Sequence, residues 1–326
     1  MNTAESTPGT ELPLIDLGPL IRGEPDGLAQ VAREIGRACR TVGFFYVRNH
    51  GLRRDLLGSL YTMSRRFFAL PQTEKDALAI NGQNRGYVGF GSESLDPQKL
   101  ADAKEAFNIG RAPQHGEAAD SVGTNQWPEL SDFRELLTHY YQQMQHLSEQ
   151  IHTAIAVDLG LTPDYFQGFV DRPMATLRLL HYPPHPDPFD GTRYGAGAHT
   201  DYGNLTILWQ DEVGGLEVRA RDGRWLAAPP IADSFVCNIG DCLMRWSNDI
   251  YISNPHRVTN RSGRERYSAA FFFDPNPDAW VECLPSCTRD DRPPRYPPIT
   301  AAQHLRERLD ATYVHRRREP GDDPRD

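Results

Sequence analysis

The stretch GAGAHTDYGNLTILWQDEVGGLEV, Gly195 to Val218, joins short runs of apolar and β-branched residues through glycine-containing turns. Such punctuation predicts strands, because each run is too short for a helix and each break carries a turn residue. Within it His199 and Asp201 stand two positions apart. On a strand, residues i and i+2 project to one side, so the pair would point together into or out of the fold. With Thr200 between them, the same alternation also describes the solvent face of a half-buried strand. The pair acquires meaning only from partners elsewhere in the chain.

Outward from this stretch the β pattern continues. From Ala175 onward, ATLRLLHYPP, NLTILWQ, GLEVRA, DSFVCNIGD, YISNPHRVTN and RYSAAFFFDP are short β-type runs separated by turn residues, which predicts a sandwich or barrel. The first half differs. Apolar residues recur at helical spacing over 26–43, 54–70 and 127–161, with GFFYVRNHG (Gly43 to Gly51) as a strand-like exception. A last helix is expected in TAAQHLRERLDATYV. The expectation is an α+β, β-rich fold in one domain over 12–315: a mainly helical part (12–174), a β core (175–280) and a helical C-terminal part (281–315). Polar, proline-containing tails are expected at 1–11 and 316–326.

Composition narrows the function classes. With 326 residues, 39 % hydrophobic and 24 % charged, the chain has enough apolar material for a sizeable core. A net charge of -9 gives no field favouring nucleic acid or an anionic membrane surface. No stretch approaches the roughly 20 apolar residues of a membrane span, and the start shows no basic, apolar leader. Five scattered cysteines, an odd number, argue against a disulfide framework and for a reducing, cytoplasmic setting.

A third partner for His199 and Asp201 is offered by His256 in SNPHRVTN, about fifty residues later. Two histidines and a carboxylate on one face of a metal leave the opposite positions open, the arrangement that suits an Fe(II) centre binding a chelating cosubstrate and O2. About ten residues further on, RERYSAAFFFDP places Arg266 and Ser268 on one strand face. A guanidinium beside a hydroxyl is a fork for a carboxylate.

These motifs, HTDYGNLTIL, NPHRV and RERYSAAFFFDP, together with LPLIDL and GFFYVRNHGL, resemble the isopenicillin N synthase-like family of Fe(II)/2-oxoglutarate-dependent oxygenases, in order and at family spacing from about Leu12 to Asn276. The resemblance implies a double-stranded β-helix (jelly-roll) core flanked by helices. It implies His199, Asp201 and His256 as iron ligands, and Arg266, Ser268 and Tyr182 (in LRLLHYPP) as the residues that hold 2-oxoglutarate. The implied reaction couples O2 and oxidative decarboxylation of 2-oxoglutarate to hydroxylation, desaturation or cyclisation of a small molecule. Members that resemble isopenicillin N synthase itself, 1-aminocyclopropane-1-carboxylate oxidase or the ethylene-forming branch offer alternative chemistries. A non-catalytic binding module and a zinc hydrolase are competing classes, separable by metal content and O2 uptake.

Strand parity extends the candidate site. If Tyr182 and Ser268 line it, Arg178, Phe272 and Asp274 share their faces, whereas Phe271 and Phe273 face the packing between sheet and helices. By resemblance, Phe107 in KEAFNIG and Tyr87 in RGYVGFG lie in regions that cover the iron, and Trp209 is a further candidate for the cavity. Arg178, if buried, needs a partner: an acidic group on the substrate, or an internal carboxylate such as Asp274 or Glu217.

Overall fold

A computed structural model of the chain describes residues 11–93, 95, 100–113, 117, 122–184 and 194–312; almost all of both expected tails and the basic run at 316–318 lie outside the described residues. The chain opens with β1 (Leu14–Asp16), α1 (Gly18–Ile21), α2 (Gly27–Thr41), β2 (Phe44–Arg48), α3 (Arg54–Phe68) and α4 (Gln72–Asp76). Next come β3 (Gly86–Val88), β4 (Glu105–Gly110) and the long α5 (Phe133–Asp158). The second half supplies β5 (Thr176–Tyr182), β6 (Ala196–His199), β7 (Leu205–Gln210), β8 (Leu216–Arg219), β9 (Trp225–Ala227) and β10 (Ser234–Ile239). It ends with α6 (Asp241–Trp246), β11 (His256–Val258), β12 (Arg266–Phe273), β13 (Trp280–Val281), β14 (Ile299–Thr300) and α7 (Ala301–Thr312).

Two sheets make the core. The larger runs β1-β2-β10-β7-β12-β5-β4-β3 and the smaller runs β6-β11-β8-β9, with a separate β13-β14 pair. This is a jelly roll: two β layers closed over an interior, with helices stacked on the outer face of the larger sheet. Four strands of the first half join that sheet, so its breadth exceeds what the β-rich second half alone supplies. β3 and β4 carry no long apolar alternation of their own and are held by pairing with β5.

Alternation along each strand divides two apolar groups. Leu177, Leu179, Ile207, Phe271 and Phe273 pack outward with Ile35, Leu60, Phe133, Met144 and Ile151 of the helices. Leu180, Tyr182, Ala270, Leu216, Val218 and Phe44 point into the space between the sheets. As parity predicts, Phe271 meets Tyr141 and Phe273 meets His152 of α5, with ring centroids 5.0 and 5.1 Å apart. Among the described residues no helix is long and apolar enough to cross a membrane.

Candidate functional site

β6 ends at His199, and Asp201 lies in the turn that follows rather than on the strand itself. The shared direction expected from strand spacing is reached instead by this turn, in which Thr200 leans away to donate to Asp241 Oδ2 at 3.1 Å. His256 opens β11 and is the direct cross-strand partner of His199. Asp201 Oδ1 stands 3.9 Å from His199 Nε2 and 3.8 Å from His256 Nε2. One ligand atom from each residue lies within 4.8 Å of the others, the single such cluster of three among the described residues.

The surroundings fix which atoms are free to coordinate. His199 Nδ1 lies 2.7 Å from the Gly197 carbonyl, so it carries the proton and Nε2 keeps its lone pair. Asp201 Oδ2 accepts from Thr206 Oγ1 at 2.6 Å and from Asn238 Nδ2 at 2.7 Å, leaving Oδ1 for the centre. Burial, then the neighbouring His256, pushes the His199 imidazole down to about 3. Burial alone would raise Asp201, but His256 and His199 and the Asn238 and Thr206 hydrogen bonds hold it below the usual carboxylate range. Neutral imidazoles and an ionised carboxylate are the states in which these groups bind a divalent metal. The donor set fits Fe(II): two nitrogens and one oxygen on one side of a point, with buried second-sphere partners.

The ligand turn is held from behind. Asp241 N donates to the Asp201 carbonyl at 2.8 Å. A Cβ at Gly240 would stand 2.3 Å from the Gly203 carbonyl oxygen, and one at Gly203 would stand 1.4 Å from Asp274 Oδ1, so both positions require glycine for close approach. Asp274 therefore packs against the backbone of this turn, accepting from Asn204 N at 3.3 Å; burial pushes its carboxyl up to about 7. On the outside, α7 closes over the turn: Arg308 pairs with Asp241 at 2.6 Å and His304 Nε2 lies 3.1 Å from the Tyr202 carbonyl.

At the other end of β12, Arg266 is completely buried. Its Nε donates to the Gly214 carbonyl at 2.6 Å, and its terminal nitrogens reach Ser268 Oγ at 3.2 Å and Gln210 Oε1 at 3.3 Å. The Tyr182 ring lies under the guanidinium, 4.7 Å from carbon to centroid. No described carboxylate forms an ion pair with it. A buried guanidinium with only neutral partners is suited to an incoming carboxylate.

Arg178 and Phe272 share this interior face, as parity requires. The partner of Arg178 is neither Asp274 nor Glu217 but Glu93, at 2.7 Å, which also lies 3.3 Å from Lys104 Nζ; Glu217 pairs with Arg257. Burial alone would raise Glu93, yet Arg178 and Lys104 hold its carboxyl down to about 2. Tyr87, Phe107 and Trp209 are not brought to this side. Phe107 lies between Ala106 and Asn108 on β4 and turns outward onto Phe67, 4.5 Å between centroids. Tyr87 pairs with Phe107 across the strands and donates to Glu105 Oε2 at 2.6 Å. Trp209 pairs with Ala269 and meets Tyr61 of α3 at 6.0 Å. Thr206 and Gln210, absent from the sequence reading, follow from parity, since they alternate with Leu205, Ile207 and Trp209. Asn238 follows in the same way on β10, alternating with Phe235, Cys237 and Ile239, whereas Glu93 carries no such signal.

Two family models match the chain: residues 12–130 fit the non-haem dioxygenase in morphine synthesis N-terminal region, and residues 173–275 fit the 2OG-Fe(II) oxygenase superfamily. A relative from Emericella nidulans, the 2-oxoglutarate-Fe(II) type oxidoreductase hxnY, is 37% identical over 93% of this chain and 91% of its own. This chain belongs to the 2OG-Fe(II) oxygenase superfamily. Homoarginine-6-hydroxylase 2-ODD-233 of Oryza sativa subsp. japonica is 38% identical over 93% of this chain and 98% of its own length. Full-length Neurospora crassa T7H, solved in complex with alpha-KG (2-oxoglutarate), superposes with a TM-score of 0.86 at 34% identity, covering 96% of this chain and all of the other. JOX2, solved with 2OG, Fe and JA, gives a TM-score of 0.76 at 32% identity, covering 93% of this chain and 86% of the other. The oxygenase is thus an enzyme whose cofactor is Fe(II) and whose cosubstrates are 2-oxoglutarate and O2.

Proposed function

We propose that His199, Asp201 and His256 hold the Fe(II), that Arg266, Ser268 and Tyr182 receive the distal carboxylate of 2-oxoglutarate, and that a small organic molecule is hydroxylated beside Phe272 and Arg178. The observation that carries this reading is the fully buried, carboxylate-free Arg266 on β12 of the larger sheet, with the ligand-bearing strands β6 and β11 in the smaller sheet that faces it. When bound, Fe(II) and 2-oxoglutarate activate O2, with oxidative decarboxylation to succinate and CO2 supplying the oxidant for a substrate C–H bond.

The chain's own share is orientation. Arg266 Nε is spent on Gly214, which aims its two terminal nitrogens along one direction; Ser268 Oγ stands beside them as a further donor. Thr206 and Asn238 occupy one carboxylate oxygen of Asp201 and so commit the other to the metal. Phe272 and Leu180 keep the interior apolar, which excludes water from the reacting groups. Small-molecule action is supported by T7H solved with thymine, JOX2 solved with JA and a rice dioxygenase for auxin oxidation. Five free thiols, four of them buried, support a reducing, cytoplasmic location.

An anaerobic titration of the apo-protein with Fe(II) and then 2-oxoglutarate tests the reading. A visible charge-transfer band that Arg266→Ala weakens is expected. Iron binding without a band, in the presence of saturating keto acid, would overturn the 2-oxoglutarate assignment to Arg266.

A further inference from the structure

β6 lies at the edge of the smaller sheet, so backbone groups on its outer side need partners from outside that sheet. Asp102 supplies one: its Oδ1 accepts from Gly197 N at 2.9 Å. The next residue reinforces the attachment, Ala103 N donating to the Tyr194 carbonyl at 2.8 Å. Gly197 in turn offers its carbonyl to His199 Nδ1 at 2.7 Å. A single glycine therefore receives Asp102 at its N–H and orients a metal ligand with its carbonyl.

Asp102 is itself fixed. Only 2 % exposed, it holds Lys104 Nζ with its second oxygen, and Lys104 reaches Glu93, the partner of Arg178. Two cations and two carboxylates thus form a cluster at the edge of β6, with Asp102 and Lys104 buried and Glu93 and Arg178 half-buried. Burying charges is costly unless their geometry is used, and here one carboxylate oxygen is committed to the strand that carries His199.

We infer that Asp102 is a positioning residue for the metal centre, acting through Gly197 on the orientation of His199. The inference rests on the assignment of His199 as a ligand. It assigns a role to the backbone hydrogen bond rather than to the charge: the acceptor oxygen matters, and Lys104 serves to hold it.

The test compares Fe(II) affinity, by anaerobic titration, of the wild-type chain with Asp102→Ala, Asp102→Asn and Lys104→Met, beside the melting temperature of each apo-protein. A Co(II)-loaded sample reports the paramagnetically shifted, exchangeable His199 Nδ1 proton by NMR. Asp102→Ala is expected to weaken Fe(II) binding by ~10–100-fold, the range for removing an outer-shell partner, and to speed solvent exchange of that proton. Asp102→Asn keeps an acceptor oxygen and is expected to restore affinity to within about 3-fold, and Lys104→Met to stay nearer wild type than Asp102→Ala. Wild-type affinity and an unshifted proton in Asp102→Ala overturn the inference, as does an Asn variant as weak as Ala. If Asp102→Ala does not fold, the Asn and Met variants decide by the same criteria. A wild-type chain that binds no Fe(II) would instead remove the ligand assignment itself.

Discussion

His199 and His256 face each other directly across the antiparallel β6–β11 pair, ring centroids 4.3 Å apart, and Asp201 Oδ1 is nearly equidistant from their Nε2 atoms. Two imidazoles on a paired register are positioned by the sheet, while the carboxylate is positioned by a turn and by two donors. The carboxylate is therefore the ligand whose placement depends most on neighbouring side chains.

Asn238→Ala and Thr206→Val each remove one donor from Asp201 Oδ2 and leave all three ligands in place. Each is expected to weaken Fe(II) binding by ~10–100-fold, measured by anaerobic titration, whereas His256→Ala should abolish specific binding and turnover. Unchanged affinity in both donor variants would show that the turn backbone alone places Asp201.

Arg266→Ala is expected to raise the 2-oxoglutarate dissociation constant by ~30-fold or more, as loss of one partner of a buried charge pair costs about 2–5 kcal/mol. Arg266→Lys keeps the charge but loses the fork and the Gly214 bond, so an intermediate loss of at least ~10-fold should appear. Fe(II) affinity without 2-oxoglutarate should not change, which distinguishes the fork from the metal ligands.

Phe107 and Phe272 offer a paired test of the two faces of the larger sheet. Phe107→Ala opens a hole against Phe67 and Phe133 and should cost about 3–5 kcal/mol of stability in urea denaturation. Phe272→Ala, on the interior face, should cost less stability and instead alter substrate KM and the coupling of succinate release to product. Equal effects on turnover from both variants would contradict the face assignment.

Acid should destabilise the fold through His152. Its Nδ1 lies 2.9 Å from the Ser148 carbonyl and its Nε2 3.4 Å from Asn204 Nδ2, and burial pushes its imidazole down to about 4. Because the folded value lies below the unfolded one of about 6.5, the neutral ring favours the fold above that pH, and this contribution is lost as pH falls toward 4. The loss amounts to about 3 kcal/mol at most. His152→Gln should flatten the stability profile between those pH values relative to wild type, and an identical slope would rule out His152 as its source.

The metal ligands, the Arg266–Ser268 fork and the jelly-roll class are legible in the sequence because each combines an uncommon residue set with a fixed spacing. Phe272 and Arg178 follow from counting along a strand. Phe107, Tyr87 and Trp209 point the other way because their parity is set by β4 pairing with β5, β3 with β4 and β7 with β12, and β3 and β4 give little strand signal of their own. Glu93 and Asp102 are not legible because they lie outside any strand alternation and their roles arise from contacts across long separations: Glu93 meets Arg178 85 residues away, and Asp102 meets Gly197 95 residues away.

On β5 and β12 the interior positions all carry even numbers, Thr176, Arg178, Leu180, Tyr182, Arg266, Ser268, Ala270 and Phe272, while their odd-numbered neighbours hold the helices. Retooling and scaffolding are thereby separated letter by letter along the same two ribbons. A combinatorial library confined to 176, 180, 270 and 272, which leaves Arg178 and its ion pair with Glu93 intact, would vary this wall without touching the packing on the opposite side.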